Sequence, residues 1–281
     1  MMNITVNMKI TRGIKAIFLE IILFVLARIE EQHIWESIYN ISLNKMNFGT
    51  GGDFTRSGEL LAMNYIKDAL NDESQIIIFD VGANVGNYSR ALSEVFDTKS
   101  RIYAFEPSKK TYSLFLESTK EIDVIIPHNF GFSDKEYKQT LFTNREGSGL
   151  ASIYKRRLDH FGIKMDITEE IELTTIDIFC AGNNIEHIHF LKLDVEGHEL
   201  NVLNGAKSMI ERGKVDFIQF EFGGCNIDSR TYFQDFFYFL NGKYNIFRIL
   251  KDGIYELPMY KETHEVFITV NYLAIKKQEF K

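Results

Sequence analysis

The run Ile76-Ile77-Ile78-Phe79-Asp80-Val81-Gly82-Ala83-Asn84-Val85-Gly86 constrains this chain more than any other stretch. Four consecutive apolar residues bounded by turn formers read as a strand covered on both faces, as in a parallel sheet flanked by helices. Gly82 and Gly86 allow a sharp bend and a close approach of ligand or helix. Asn84 tolerates a left-handed backbone better than most residues. A strand, a tight turn and a helix opening near Asn87 place a nucleotide-like ligand at the carboxyl end of the sheet.

The chemistry of the turn narrows the ligand. A dinucleotide site uses G-x-G-x-x-G, whereas the spacing here is Asp80-x-Gly82-x-Asn84-x-Gly86. A carboxylate at Asp80 would repel a pyrophosphate but complements an ammonium group. S-adenosylmethionine (SAM) carries an ammonium, a sulfonium and no phosphate. The loop amides are expected to meet its carboxylate, and Asp80 its ammonium, directly or through water. The short apolar stretch Arg101–Phe105 then ends in Glu106-Pro107, 20 residues past Gly86. From there a carboxylate can accept both hydroxyls of a ribose. NAD proteins use the same device, so the preference for SAM rests on Asp80 together with Asn84.

Composition bounds the rest. The 281 residues, 45% of them hydrophobic, suffice for one large α/β domain with an extension. Thirty-nine acids against 32 bases give a net charge of −7, which argues against a general nucleic-acid binder. Cys180 and Cys225 have no C-x-x-C context, so a reducing, cytoplasmic setting is expected, with no disulfide and no zinc site. Residues 14–29 are strongly apolar but carry Lys15, Glu20 and Arg28, and the uninterrupted part, Ile21–Ala27, is far shorter than the ~20 residues of a membrane span. A packing helix, a homodimer contact and peripheral membrane contact all suit it. Gly49–Asp53 reads as a joint between an N-terminal helical extension, residues 1–50, and a catalytic domain, residues 51–281.

Within that domain, Ser57 is expected to cap a helix reaching about Leu70, with Glu59 favoured in its first turn. Strands are expected over 75–81, 101–105, 124–127, 188–193 and 217–222, with helices over 87–96, 109–120 and 198–210. Tyr137–Thr143 reads as an extra strand and Ile171–Thr174 as a short one. Asn129 is placed to bond an adenine edge and Phe130 to pack on its face. The stretch 144–168 reads as a long polar connection carrying Lys155-Arg156-Arg157, which suits a solvated loop or the recognition of an anionic acceptor. Tyr244–Leu250 and Val266–Ile275 read as two last strands. Asp194 and Glu221 fall at strand carboxyl ends, with Glu196 and His198 close behind Asp194. Carboxylates there are rarely buried without a partner or a task.

Phe79–Gly86, Phe105-Glu106-Pro107 and Leu193-Asp194-Val195-Glu196-Gly197-His198-Glu199, with Ser57-Gly58-Glu59 upstream and Gln219-Phe220-Glu221 downstream, resemble the FkbM family of SAM-dependent methyltransferases over roughly residues 50 to 275. The resemblance implies a Rossmann-like class I methyltransferase fold: a seven-stranded, mostly parallel sheet closed by a C-terminal antiparallel hairpin. It also implies methyl transfer to a hydroxyl of a sugar, glycan or related acceptor, lipid- or nucleotide-linked acceptors included. Glu59, Asp80, Gly82, Asn84, Gly86, Glu106, Pro107 and Asn129 are the expected cofactor residues. Asp194 is the expected base, with Glu196, His198 and Glu221 as further catalytic candidates. No metal site is assigned, although these four residues offer ligands that suit a magnesium- or manganese-type ion. Two other readings stay open: an NAD-dependent sugar oxidoreductase, weakened by Asp80 and by the lack of a well-placed Tyr-x-x-x-Lys pair, and a non-catalytic methyltransferase-like subunit.

Overall fold

A computed structural model describes residues 20, 22, 24–51 and 54–278. Half of the expected apolar segment 14–29 therefore lies outside the described residues. Among these, no helix is long and apolar enough to cross a membrane. The chain divides into two compact units, Met1–Met46 and Asn47–Lys281. The first contains α1 (Gln32–Lys45), whose Trp35 indole donates to the Ile29 carbonyl at 2.8 Å.

The second unit is built on one large sheet. In chain order its elements are α2 (Glu59–Ala69), β1 (Ile76–Val81), α3 (Asn87–Phe96), β2 (Ser100–Phe105), α4 (Lys109–Thr119), β3 (Ile125–His128), β4 (Gly131–Phe132), β5 (Tyr137–Thr143), β6 (Ile167–Thr174), α5 (Ile176–Gly182) and β7 (Ile188–Leu193). There follow α6 (Glu199–Gly205), α7 (Lys207–Glu211), β8 (Val215–Phe222), α8 (Cys225–Ser229), α9 (Phe233–Leu240), β9 (Tyr244–Leu250), β10 (Gly253–Glu256) and β11 (Val270–Lys276). The sheet runs β10-β9-β11-β8-β7-β1-β2-β3, and a second sheet of three strands runs β4-β6-β5. From β3 to β8 every neighbour pairs in parallel, while β11, β9 and β10 add antiparallel. This is the Rossmann-like class I methyltransferase topology, with ligands expected at the carboxyl ends of the parallel strands.

Four details depart from the sequence reading. The sheet has eight strands rather than seven, because the stretch after the Asp252-Gly253 turn folds back on β9 as an edge strand. β11 starts at Val270 rather than Val266, because Gly49 donates its amide to the Thr269 carbonyl and Thr269 packs directly on Gly223. The expected 198–210 helix is two short ones meeting at Ala206: a side chain on Gly205 would reach within 1.9 Å of the Ser133 carbonyl, so the chain passes close there. β6 begins at Ile167, inside the stretch read as a loop, since Ile171 and Leu173 bury against β5 while Glu170 and Glu172 face outward.

Packing on the two faces differs. One face buries Ile78, Ile102, Phe190 and Phe217 under α2 and α3. The other stacks Phe79, Phe105, Phe132 and Phe179, with Phe105 and Phe132 rings 4.4 Å apart. Such pairs add roughly 0.5–1.5 kcal/mol each beyond burial. Helix starts are specified locally: Ser108 accepts from the Thr111 amide and Thr175 from the Ile178 amide. α2 is an exception to expectation, because its cap is Gly58 at φ 87° and not Ser57.

The β1 turn is held against β7. At Gly82, φ is 82° and an added Cβ would fall 1.8 Å from the Asp194 carbonyl oxygen. Gly82→Ala is therefore expected to lower the unfolding free energy by about 2–4 kcal/mol, measured by urea denaturation. A loss below ~0.5 kcal/mol would mean that this contact is not tight.

Candidate active site

Strand register sets the site out in rows. Asp80 on β1 lies beside Lys192 on β7, which lies beside Gln219 on β8. Side chains two residues apart share a face. Toward the amino ends of the strands this face is hydrocarbon: Ile78, Phe190 and Phe217. One step further on it carries Asp80, Lys192 and Gln219, and one step beyond that Asp194 and Glu221. The face thus turns from apolar core to a row of charge over three residues per strand.

A cavity of about 1080 Å³ opens at this end, lined by the β1 turn, Glu59, Glu106, Lys192, Asp194, Glu196, His198 and Glu221, among others. Of the expected cofactor residues, Glu59, Gly82, Asn84, Glu106 and Pro107 line it. Gly86 stands behind as the cap of α3 at φ 89°, where a side chain would strike Ser118, Thr119 and Phe115.

Asp80 does not line the cavity. It is fully buried, accepts from Ser89 Oγ at 2.6 Å and faces the Lys192 ammonium at 3.4 Å. The ammonium it meets is therefore the protein's own. The loop amides are also committed: Gly82 and Ala83 donate to the Phe105 carbonyl, Asn84 to Glu106 and Gly86 to Ala83. Asn129 is not brought to the cavity either, since its amide group donates to the Glu106 and Pro107 carbonyls at 2.9 and 3.2 Å. Phe130 joins the aromatic stack under the sheet. Asn84 also lines the cavity from the turn, and its buried Oδ1 has no hydrogen-bond partner among the described residues.

Glu106 accepts from the Asn84 and Ser108 amides at 3.0 and 2.9 Å, and burial lifts its carboxyl to about 7 despite those bonds. Glu59 closes a buried chain in which the Tyr88 hydroxyl donates to Gln219 and the Gln219 amide donates to Glu59 at 2.8 Å. Ser57 adds a second donor to Glu59 at 2.5 Å, yet burial again raises the carboxyl to about 7. Tyr88, Gln219 and Ser57 were missed as site residues. The signal for Gln219 was its place two residues before Glu221 on a strand, which puts both on one face.

Lys192 lies 3.2 Å from Asp194 and 3.4 Å from Asp80, with its ammonium 4.6 Å from the Tyr88 ring. Burial opposes its charge, but Asp194, Asp80 and Glu59 outweigh that and hold it above the ordinary lysine range. It pairs with two acids and lines the cavity.

The turn after β7 shows what each acid is committed to. Glu199 accepts from the Val195 and Gly197 amides and so pins the turn. Glu196, at φ 52°, pairs tightly with Arg156, which also faces Asp228. Arg156 is therefore not the solvated residue of a loop. His198 is spoken for at both nitrogens, with Ser133 Oγ at 2.8 Å from Nε2 and the Tyr154 hydroxyl at 3.1 Å from Nδ1. Burial lowers its pKa to about 4, so it is a neutral tie between segments and a poor proton acceptor. Glu221 is pushed well above the carboxylate range by burial and then by Asp194 and Glu196. Asp194 is the most accessible of these acids, with 38% of its side chain exposed.

The methyltransferase FkbM domain model matches residues 80–247. The chain is 27% identical over 147 residues to the hexuronic acid methyltransferase AglP of Haloferax volcanii, covering 52% of this chain and 55% of that protein. It is 23% identical over 161 residues to the 2-O-methyltransferase NoeI of Sinorhizobium fredii, covering 54% and 66%. The chain thus spans between half and two thirds of the curated relatives it matches. A solved methyltransferase FkbM from Methylobacillus flagellatus superposes with a TM-score of 0.42 at 20% identity, over 71% of this chain and 43% of that one.

The raised carboxyls make stability depend on pH with a definite sign. Glu59 keeps its proton to about 7 when folded, against an ordinary value of 4.5. Between these values the folded state binds more protons than the unfolded one, so stability falls as pH rises through the window. Glu59→Gln is expected to flatten that fall by on the order of 2–3 kcal/mol between about pH 5 and 8, read from urea unfolding at each pH. A mutant profile parallel to wild type would place the proton elsewhere.

Proposed function

The chain belongs to the FkbM methyltransferase family, and from that membership we propose that it transfers a methyl group from SAM to a hydroxyl of a sugar acceptor. The observation that carries the reading is the shared cavity, in which Glu106 and the Asn84 side chain face the same space as Asp194. The donor set fits SAM. Glu106, at the end of β2, is the acceptor for the ribose hydroxyls; the unpartnered Asn84 oxygen suits an ammonium; and Gly82 keeps the wall bare between them. When bound, SAM supplies an electrophilic methyl on a sulfonium, whose carbon–sulfur bond breaks as the new carbon–oxygen bond forms.

The chain's own task is to align the acceptor and receive its proton. Asp194 takes the proton that the hydroxyl sheds, held toward the cavity by Lys192. Glu221 serves to position the acceptor. Glu196 is tied to Arg156, and His198 holds the turn. The names of the curated relatives, one acting on hexuronic acid and one a 2-O-methyltransferase, support a sugar as acceptor. Arg157 lines the cavity from the inserted segment and suits an acidic sugar. Family membership weighs against the oxidoreductase, and the intact set of acids weighs against a non-catalytic subunit.

Calorimetric titration tests the donor. SAM is expected to bind wild type, with NAD showing no heat, and to bind Glu106→Ala roughly ten- to a hundredfold more weakly. Lack of SAM binding would overturn the reading. Asp194→Asn is expected to keep SAM affinity and to lose about 10²–10⁴ in turnover on a uronic-acid or hexose acceptor. Full turnover in that variant would exclude Asp194 as base.

A further inference from the structure

We propose that Glu196 and Glu221, which line the same cavity, and Cys225, buried behind it, form a binding site for a divalent transition-metal ion. One ligand atom from each lies within 4.8 Å of the others, the span that an ion with bonds of roughly 2.0–2.3 Å needs. Two chain segments supply them, and the backbone fixes their spacing. Glu196 and Gly197 both have positive φ, at 52° and 102°, and a Cβ on Gly197 would lie 2.9 Å from the Cys225 carbonyl. The turn after β7 is thus pressed against the start of α8.

The second observation is Glu221 itself. It is only 7% exposed and lines the cavity, yet its carboxyl has no hydrogen bond or ion pair among the described residues. Equally buried Glu59 and Glu106 each accept two hydrogen bonds. A buried carboxyl is ordinarily partnered. Glu221 points instead into a space where Asp194, Glu196, Glu199 and Glu59 all add negative charge. The two nearby cations are committed, Lys192 to Asp80 and Asp194, and Arg156 to Glu196 and Asp228. A dication supplies the missing charge.

Ligand chemistry selects the ion. A thiol beside two carboxylates suits manganese, iron(II) or zinc better than magnesium or calcium, and binding would displace the thiol proton to solvent. His198 is not a ligand, since both its ring nitrogens are engaged. A second cluster, His187, His189 and Asp216, is set aside because His189 Nδ1 accepts the Ile77 amide, which leaves the ring proton on Nε2 and no ring nitrogen free for a metal. If the cavity transfers methyl groups as proposed above, the ion's added role is to bind the acceptor hydroxyl and ease loss of its proton; this consequence alone rests on that proposal.

Metal-stripped protein titrated with manganese(II) chloride, without SAM or acceptor, tests the site, with free ion read by electron paramagnetic resonance. One ion per chain is expected, bound at least tenfold more weakly by Glu221→Gln. The metal-free melting temperature of that variant should equal or exceed wild type, because an unpartnered buried carboxyl has been removed, so lost binding would not reflect unfolding. Cys225→Ser should lower the preference for zinc over manganese. No binding at millimolar manganese, or undiminished binding in both Glu221→Gln and Glu196→Gln, would overturn the site. SAM binding by stripped protein that ignores manganese would sink the metal site alone; manganese binding by protein that ignores SAM would sink the methyl-transfer reading alone.

Discussion

A buried ammonium organises this molecule. Lys192 lies in the middle of the sheet, between the Asp80 carboxylate on the neighbouring strand and the Asp194 carboxylate two residues further along its own. A charge so placed is tolerated only with partners on more than one side, and removing one member would leave the others uncompensated. The ion triplet therefore couples the two turns that face the cavity. Asp80 also holds Ser89 at the start of α3, while Asp194 opens the turn that Glu199 closes. The donor side and the chemical side of the site share one electrostatic joint.

The strands, the turn and their order were legible in the sequence, because apolar runs with glycine punctuation leave few choices. β1, β7 and the cap at Ser108 follow from local chemistry alone. The commitments of polar groups were not legible. Asp80 was read as facing a ligand, but a lysine over a hundred residues away neutralises it. Asn129 was read as an adenine contact, but a strand end and a loop needed its donors. Arg156 sat in a basic run that suggested solvent, and its partner Glu196 is 40 positions on. Each miss concerns a hydrogen bond or ion pair between distant segments, which local pattern does not encode.

The unusual feature of the acids is their protonation. Glu59, Glu106 and Glu199 are all lifted to about 7 chiefly by burial. As pH falls below that value these three lose their charge, and the site becomes less hostile to an incoming acidic sugar. Asp194, beside Lys192 and nearest to solvent, is distinguished from its neighbours by position more than by type.

The small sheet of β4, β5 and β6 has a separate consequence. It and its loops lie between β3 and β7 in the chain and supply Arg145, Leu150 and Arg157 to the cavity, while Glu106, Asp194, Glu196 and Glu221 come from the main sheet and the turns at its strand ends. Its ties to the rest include Ser152 on the Glu196 carbonyl, Tyr154 and Ser133 on His198, Arg156 on Glu196 and Asp228, and Glu169 on Ser108 and the Lys109 amide. Heredity can thus rewrite one wall while leaving the other alone. A lineage that preserves those anchors is free to trade acceptors without rebuilding its chemistry.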